Sequence, residues 1–227
     1  MMLVVLNHKN YLSYSKACIY VKTLSQLTTT HNLIVCPNSC YLSLFAGNTL
    51  GAQDVSCYPL GAYTGEIAAS TLLEMGVSYV LINHSERLIK MNETLEMSKK
   101  KLEQAIHNQL IPIICIGETK EEHEQGKYLE KILQNLDFLL RDIDKDKEFI
   151  IAYEPIFAIG TGIVPSKEEV EQVTTKLKDT YHKRILYGGS VNDKNVGEFA
   201  SLNSIDGLLL GSISIDLEAL QRILEQL

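Results

Sequence analysis

The chain of 227 residues is acidic and has an ordinary globular composition, which excludes several classes of protein. A formal net charge of −7 argues against a nucleic-acid partner. With 45% hydrophobic and 22% charged residues and no apolar run of membrane-spanning length, we expect one globular core and no membrane association. Met1 to Leu6 lack the features of a signal peptide, so we expect a cytoplasmic protein.

The cysteines and histidines do not form a metal-binding pattern. The five cysteines are odd in number and lack C-x-x-C spacing, and the six histidines are scattered. We therefore expect neither a disulfide framework nor a metal site.

Eight short apolar runs predict eight β-strands. Most do not alternate polar with apolar residues, which is typical of a parallel sheet that is covered on both faces. The runs are Leu3–Leu6, Leu33–Cys36, Leu50–Gln53, Tyr79–Ile82, Ile111–Ile116, Phe149–Tyr153, Ile185–Tyr187 and Gly207–Leu210, the third being the weakest.

Amphipathic stretches between these runs predict helices. One face carries Ala17, Val21 and Leu24, and another helix begins near Thr94. Three later stretches have the same spacing of apolar residues, at 129–140, 170–181 and 217–227. Ser166, followed by two glutamates, is typical of a helix N-cap.

Strands that alternate with helices favour a single (β/α)₈ barrel domain over residues 1–227, with a doubly wound open sheet as the alternative. In a barrel, the functional residues lie after the carboxyl ends of the strands. The polar and glycine residues found there are Asn7, Lys9, Gln53, Asn83, His84, Ser85, Glu118, Glu154, Ser190, Gly211 and Ser212.

Three of these residues could carry acid–base chemistry. Glu154 ends the sixth strand and precedes a segment with glycines at its far end, which is typical of a general base beneath a movable loop. His84 precedes a predicted helix, whose N-terminus disfavours a positive imidazolium, so we expect a neutral ring. Lys9 supplies a positive charge. The alternatives are a glutamate that only ends a strand, a capping histidine and a surface lysine.

Glycine-rich turns after the last two predicted strands favour a phosphate site, because backbone N–H groups there can approach a ligand closely. The turns are Tyr187–Ser190 and Leu210–Ser212. A base, a neutral imidazole, a cation and a phosphate site together suit proton transfer next to the carbonyl of a small phosphorylated substrate.

The chain resembles the triosephosphate isomerase family in eight sequence blocks that occur in order. These are Asn7 to Lys9, Ala52–Gln53, Gly61–Glu66, His84–Arg87, Cys115–Glu118, Ala152–Gly162, Tyr187–Val191 and Asp206–Gly207. The resemblance implies the cofactor-free interconversion of dihydroxyacetone phosphate and D-glyceraldehyde 3-phosphate, a step of glycolysis and gluconeogenesis.

The resemblance also implies roles for particular residues. Glu154 would move the carbon-bound proton, His84 would polarise the carbonyl, and Lys9 and Asn7 would bind the substrate. Ser85 would hold Glu154 in an open state. The backbone at Gly160, Ser190, Gly211 and Ser212 would bind phosphate, and Glu86, Cys115 and Tyr187 would support the site.

The family resemblance further implies a homodimer. The loop of residues 54–66 would dock into a second copy, with Thr64 reaching the neighbouring site and Glu66 pairing with Arg87.

The sequence departs from the family pattern in the segment after Glu154 and around the site. Phe157 stands in place of a tryptophan and has no indole N–H, and Pro165 stands in place of an alanine whose N–H would bond the tyrosine matching Tyr187. The other differences are His8 for Trp, Asn83 for Gly, Leu88 for Arg and Ser212 for Gly. Two alternatives therefore stay open, an isomerase for another ketose phosphate, such as a tetrulose phosphate, and a catalytically impaired phosphate-binding barrel.

Overall fold

The computed structural model describes residues 1–158 and 165–227, in which eight parallel strands close into a barrel. The strands pair in chain order, and the first also pairs with the last, Leu3 lying opposite Gly207. The predicted barrel is confirmed, and the open sheet is excluded. The strands are β1 (Leu3–Asn7), β2 (Asn32–Cys36), β3 (Leu50–Ala52), β4 (Val77–Ile82), β5 (Ile111–Ile116), β6 (Ile150–Tyr153), β7 (Arg184–Tyr187) and β8 (Gly207–Leu210).

The α-helices of the described residues lie between and after the strands. They are α1 (Tyr14–Leu24), α2 (Ala69–Glu74), α3 (Ser85–Lys90), α4 (Leu95–His107), α5 (Lys120–Glu124), α6 (Tyr128–Leu140), α7 (Lys167–Tyr181), α8 (Val196–Ala200) and α9 (Leu217–Leu224). None of the helices within these ranges is both long and apolar enough to cross a membrane.

Local sequence signals set the starts of two long helices. Thr94 caps α4 by accepting a hydrogen bond from the Met97 N–H group. Ser166 caps α7, and the Glu169 carboxylate accepts a hydrogen bond from the Ser166 backbone N–H group, which completes a capping box. Both predicted helix starts are confirmed.

The barrel strands are buried on both faces, which explains why their sequences do not alternate. Val5, Ile113 and Leu186 belong to a cluster inside the barrel. Their neighbours Leu6 and Ile114 belong to the outer layer that packs against the helices. With little polar surface available along the strands, the ionisable groups are left to the strand ends and loops.

Candidate active site at the carboxyl ends of the strands

A cavity of about 400 Å³ opens at the carboxyl ends of the strands. This volume falls within the range of small-ligand sites. Its lining comes from the segments that follow β1, β4, β6, β7 and β8, and it includes Asn7, Lys9, His84, Ser85, Glu86, Glu154, Gly188, Gly189, Ser190, Gly211 and Ser212. The structure thus brings together most of the residues predicted for the site.

His84 lies between β4 and α3 and is itself the N-cap of α3. Its Nδ1 accepts a hydrogen bond from the Glu86 N–H group at 3.2 Å. A ring nitrogen that accepts carries no proton, so the imidazole is neutral and its proton is on Nε2. The expected neutral ring therefore follows from a specific hydrogen bond. Asn83 precedes it at φ +63, a left-handed conformation that asparagine tolerates better than most residues.

Asn7 places a second N–H donor beside His84. The Lys9 N–H group donates to Asn7 Oδ1 at 3.1 Å, so the amide nitrogen Nδ2 faces the other way. Asn7 Nδ2 lies 3.3 Å from His84 Nε2. Because both nitrogens carry hydrogens, the two groups are adjacent donors that can share one acceptor oxygen from a ligand.

Glu154 is a buried carboxylate that faces the same imidazole. It directly follows β6, is 4% exposed, and its Oε1 lies 3.3 Å from His84 Nε2. Its Oε2 has no hydrogen-bond partner among the described residues. This oxygen is therefore not committed to a donor within the described residues and can contact a bound ligand.

Lys9 brings a positive charge to the mouth of the barrel in a constrained backbone conformation. Its φ is +48, and the Gln53 side chain donates to its carbonyl oxygen at 2.8 Å. Its Nζ donates to Glu86 Oε1 at 3.1 Å. Burial opposes ionisation of Glu86, but the bonded Lys9 ammonium outweighs this and lowers the pKa of Glu86. A Cβ at Gly211 would lie 3.4 Å from Lys9 Nζ, so that turn packs directly on the lysine.

Cys115 and Ser85 lie around the Glu154 carboxylate. Burial, and then the negative charge of Glu154, raise the pKa of the Cys115 thiol well above its ordinary value, so Cys115 stays protonated. Ser85 and Glu154 line a smaller cavity of about 140 Å³ behind the site. In this structure the Glu154 carboxylate lies against His84 and makes no hydrogen bond to Ser85.

Tyr187 ends β7 with its hydroxyl packed under the following turn. A Cβ at Gly189 would lie 2.2 Å from the Tyr187 Oη atom. That hydroxyl has no hydrogen-bond partner among the described residues, and burial raises the pKa of Tyr187. Pro165 is buried and offers no N–H group.

The predicted phosphate-binding residues only partly lie within the described ranges. Ser190, Gly211 and Ser212 line the 400 Å³ cavity. The Ser190 hydroxyl donates to the Ala158 carbonyl at 2.8 Å, which leaves the Ser190 N–H group as the donor of interest. Gly160 lies outside the described residues.

The predicted interface residues lie beside a second cavity of about 360 Å³, whose lining includes Glu66 and Arg87. Thr64 is exposed. Within the single chain, Arg87 donates to Glu93 at 2.7 Å and lies 2.8 Å from Asp54.

Two glycines of the site, Gly117 and Gly188, are fixed by their closeness to Glu154, a constraint that the sequence alone did not show. A Cβ at Gly117 would lie 1.8 Å from the Glu154 carbonyl oxygen, and a Cβ at Gly188 would lie 2.8 Å from the Glu154 Cγ atom. Real atoms cannot approach so closely, so these positions require glycine. Their place in glycine-containing turns after β5 and β7 was the available sequence signal.

A buried ion-pair network beneath the second cavity was also missed. Lys101 is 3% exposed and lies 2.6 Å from both Asp54 and Glu93. Burial opposes ionisation of Glu93, but hydrogen bonds from Lys101 and Arg87 lower its pKa. The lysine lies in α4, and the sequence of this helix gives no sign that the position is buried.

The fold and this set of side chains define a (β/α)₈-barrel enzyme that has a buried carboxylate and an imidazole donor at one mouth. The family model described as triosephosphate isomerase matches residues 2–227. The chain belongs to the triosephosphate isomerase family, and it is an aldose–ketose isomerase.

Individual relatives agree with this assignment. The chain is similar to the triosephosphate isomerase of Dictyoglomus turgidum, with 36% identity over 94% of each protein. It is 36% identical to that of Neurospora crassa over 84% of each protein, and 42% identical to that of Leifsonia xyli subsp. xyli over 73% of this chain and 68% of the relative.

Proposed function

We propose that the chain interconverts dihydroxyacetone phosphate and D-glyceraldehyde 3-phosphate, with Glu154 and His84 as its proton-transfer groups. The observation that carries the proposal is the 3.3 Å separation between Glu154 Oε1 and His84 Nε2, at the wall of a cavity of small-ligand size. A carboxylate and an imidazole so close together can act on adjacent carbon and oxygen atoms of one substrate.

Each group has a defined part in the proposed reaction. Glu154 removes a proton from the carbon next to the carbonyl and returns it to the neighbouring carbon. The Nε2–H of His84 and the Nδ2–H of Asn7 donate to the oxygen on which negative charge develops, which stabilises the enediolate. Because His84 is neutral, it can also give its Nε2 proton to one oxygen and recover a proton from the other.

Lys9 and the glycine-rich turns provide the positive potential that the anionic substrate needs on an acidic protein. Lys9 Nζ is held at the mouth by Glu86 and packs against Gly211. We propose that the N–H groups of Ser190, Gly211 and Ser212, together with Gly160, bind the phosphate group. Ser85, Cys115 and Tyr187 support the shape of the site around the reacting groups.

The test is a coupled assay with triose phosphates and tetrulose phosphates in parallel. Glu154→Gln is expected to lower kcat by about 10²- to 10⁴-fold, because it removes the general base and keeps the side-chain shape. Glu148→Gln is the matched control, since Glu148 is exposed beyond the other end of β6. A preference for the longer sugar would favour the tetrulose alternative, and no turnover of any sugar would favour the impaired barrel.

We also propose a homodimer, in which loop 54–66 of one copy enters the 360 Å³ cavity of the other. Residues 58–66 are all exposed, and they include Leu60, which is 69% exposed. The rings of Tyr58 and Tyr63 stack at 4.3 Å on this loop. An exposed, partly apolar loop next to a cavity that has Arg87 and Glu66 in its wall favours a self-complementary interface.

Leu60→Asp should shift the protein to monomer in sedimentation velocity, with Leu73→Asp on the outer face of α2 as the control. An unshifted dimer in the loop variant, or a monomeric wild-type protein, would overturn the dimer proposal.

The five free thiols support the proposed cytoplasmic location, because a reducing compartment maintains them.

A further inference from the structure

His123, at the last turn of α5, lies among three chain segments that are far apart in sequence. Its Nδ1 lies 3.4 Å from Glu118 Oε1, after β5. Its Nε2 lies 3.6 Å from Glu169 Oε1, in the first turn of α7. Its ring centroid lies 4.3 Å from that of Phe157, in the turn that follows the catalytic base.

Glu118 gives the imidazole a buried side-chain anchor. This side chain is 1% exposed, and burial raises its pKa, while the Tyr153 hydroxyl donates to its Oε1 at 3.0 Å. Its Oε2 has no hydrogen-bond partner among the described residues. The 3.4 Å contact with His123 Nδ1 is not a hydrogen bond, since that nitrogen has no hydrogen-bond partner among the described residues. Glu118 therefore anchors the ring by close packing against it.

Glu169 gives the imidazole a second anchor, and its geometry is fixed independently. Its Oε2 accepts from the Ser166 N–H group at 2.8 Å and from the Ser166 hydroxyl at 2.7 Å. The capping box thereby directs the other oxygen, Oε1, towards His123. The ring of His123 also stacks on Tyr128 at 5.1 Å, which limits its rotation.

The third contact leads to the catalytic base. Phe157 lies three residues after Glu154 in a short 3₁₀ turn, Ile156–Ala158. The Ile156 N–H group donates to the Glu118 carbonyl at 3.0 Å, so the start of the turn is tied to the same residue as the imidazole. The packing of Phe157 on His123 fixes the orientation of the turn.

We propose that His123 is a positioning residue, which holds the 3₁₀ turn after Glu154 against β5 and α7 and thereby fixes the catalytic carboxylate. The imidazole touches neither the substrate nor the reacting atoms. It acts through Phe157 on the turn, and its own position depends on the two carboxylates. A displacement of a catalytic group by about 1 Å can cost roughly 100-fold in rate, so the effect appears in kcat.

The first experiment compares His123→Ala with His123→Phe, using His107→Ala on the exposed end of α4 as the matched control. His123→Ala removes the ring and its two nitrogens, and kcat should fall 10- to 100-fold with KM changed less than twofold. His123→Phe keeps the ring packing and loses the ring nitrogens that face the two carboxyl groups, so its kcat should lie between those of the wild type and the Ala variant. An unchanged kcat in His123→Ala would overturn the proposal.

The second experiment separates positioning from a general loss of stability. Glu169→Gln keeps the capping box, because glutamine also serves at that position, and it removes the charge facing His123. We expect Glu169→Gln to lower kcat in the wild type and to have no effect in the His123→Ala background. Additive effects of the two substitutions would show that they act independently, which would overturn the proposal.

The kcat readouts rest on the proposed isomerase function, so a readout without substrate completes the test. Hydrogen exchange at the Ile156 amide should be faster in His123→Ala than in the wild type, while exchange in β1 stays the same. An inactive wild-type protein with this change in exchange would refute the proposed function and leave the positioning role intact. Unchanged exchange at Ile156 would overturn the positioning role.

Discussion

His8 is the residue whose replacement should most clearly change the response of the protein to acid. It is 1% exposed, and its ring lies between those of Tyr20 and Phe45, with centroids 4.6 and 5.5 Å away. Neither ring nitrogen has a hydrogen-bond partner among the described residues. Burial lowers the pKa of His8 to about 4 from its ordinary value of 6.5.

The sign of the effect follows from the two pKa values. The unfolded chain binds a proton at His8 near pH 6.5, whereas the folded chain binds it only near pH 4. The unfolded state therefore holds more protons in this window, and the free energy of unfolding falls as the pH falls. At about 1.4 kcal/mol per pK unit, the loss reaches about 2 kcal/mol at pH 5 and roughly 3 kcal/mol below pH 4.

His8→Phe should remove this dependence and also stabilise the protein at neutral pH. Phenylalanine keeps an aromatic ring between Tyr20 and Phe45 and buries no unpaired nitrogen, so we expect a gain of about 1–3 kcal/mol at pH 7.5. Urea unfolding, followed by circular dichroism at one protein concentration, gives the free energies of unfolding of both proteins between pH 7.5 and pH 5. Other titrating groups are common to both, so the difference between the two curves reports His8.

The difference in free energy of unfolding between His8→Phe and the wild type should widen by about 2 kcal/mol between pH 7.5 and pH 5. If phenylalanine overpacks the site, the free energy of unfolding of the variant is lower at every pH. Its dependence on pH is still reduced, so the slope of the free energy of unfolding against pH remains the test. Parallel curves for the two proteins across this range would refute the reasoning. His107→Phe, on the exposed end of α4, should leave the pH dependence as it is in the wild type.

Two further substitutions test close approach and buried charge, each against a matched control. Gly117→Ala places a Cβ 1.8 Å from the Glu154 carbonyl oxygen, so it should lower the free energy of unfolding by about 1–3 kcal/mol and kcat at least tenfold. Gly197→Ala meets nothing within 4 Å in a helix and should stabilise the protein by up to about 1 kcal/mol. Lys101→Met removes the buried cation between Asp54 and Glu93, which keep only their contacts with the half-buried Arg87, and should destabilise by about 3–5 kcal/mol in urea unfolding. The exposed Lys100→Met should change stability by less than about 0.5 kcal/mol. Equal effects of Gly117→Ala and Gly197→Ala would contradict the argument from close approach. Equal effects of Lys101→Met and Lys100→Met would contradict the argument from buried charge.

The sequence by itself determined a parallel sheet covered by helices, because the signals for strands and helix starts are local, whereas the pairing of β1 with β8 in the structure decided for the barrel against the open sheet. A run such as Ile111–Ile116 is apolar on both faces, and only a covered parallel sheet buries both. The capping box at Ser166 and Glu169 involves residues three positions apart, so it is legible without any tertiary contact. Since the strands of a parallel barrel share one direction, the residues that follow them must meet at one end, which allowed Asn7, His84 and Glu154 to be grouped in advance.

The tertiary structure decided what each of those groups can do. The proton position on His84 follows from the Glu86 N–H group, and the amide orientation of Asn7 follows from the Lys9 N–H group. Sequence predicted a neutral imidazole but could not give the nitrogen that carries the proton.

Contacts between distant parts of the chain were the other features that only the structure revealed. The need for glycine at position 117 arises from a carbonyl 37 residues later, and His123 meets its three partners only after β5, β6 and α7 have packed. Burial also arises from contacts between distant segments. It lowers the pKa of His8, and it places Lys101 where its charge must be balanced by buried carboxylates. Both effects depend on neighbours that exclude water, and the barrel assembles those neighbours from separate parts of the chain.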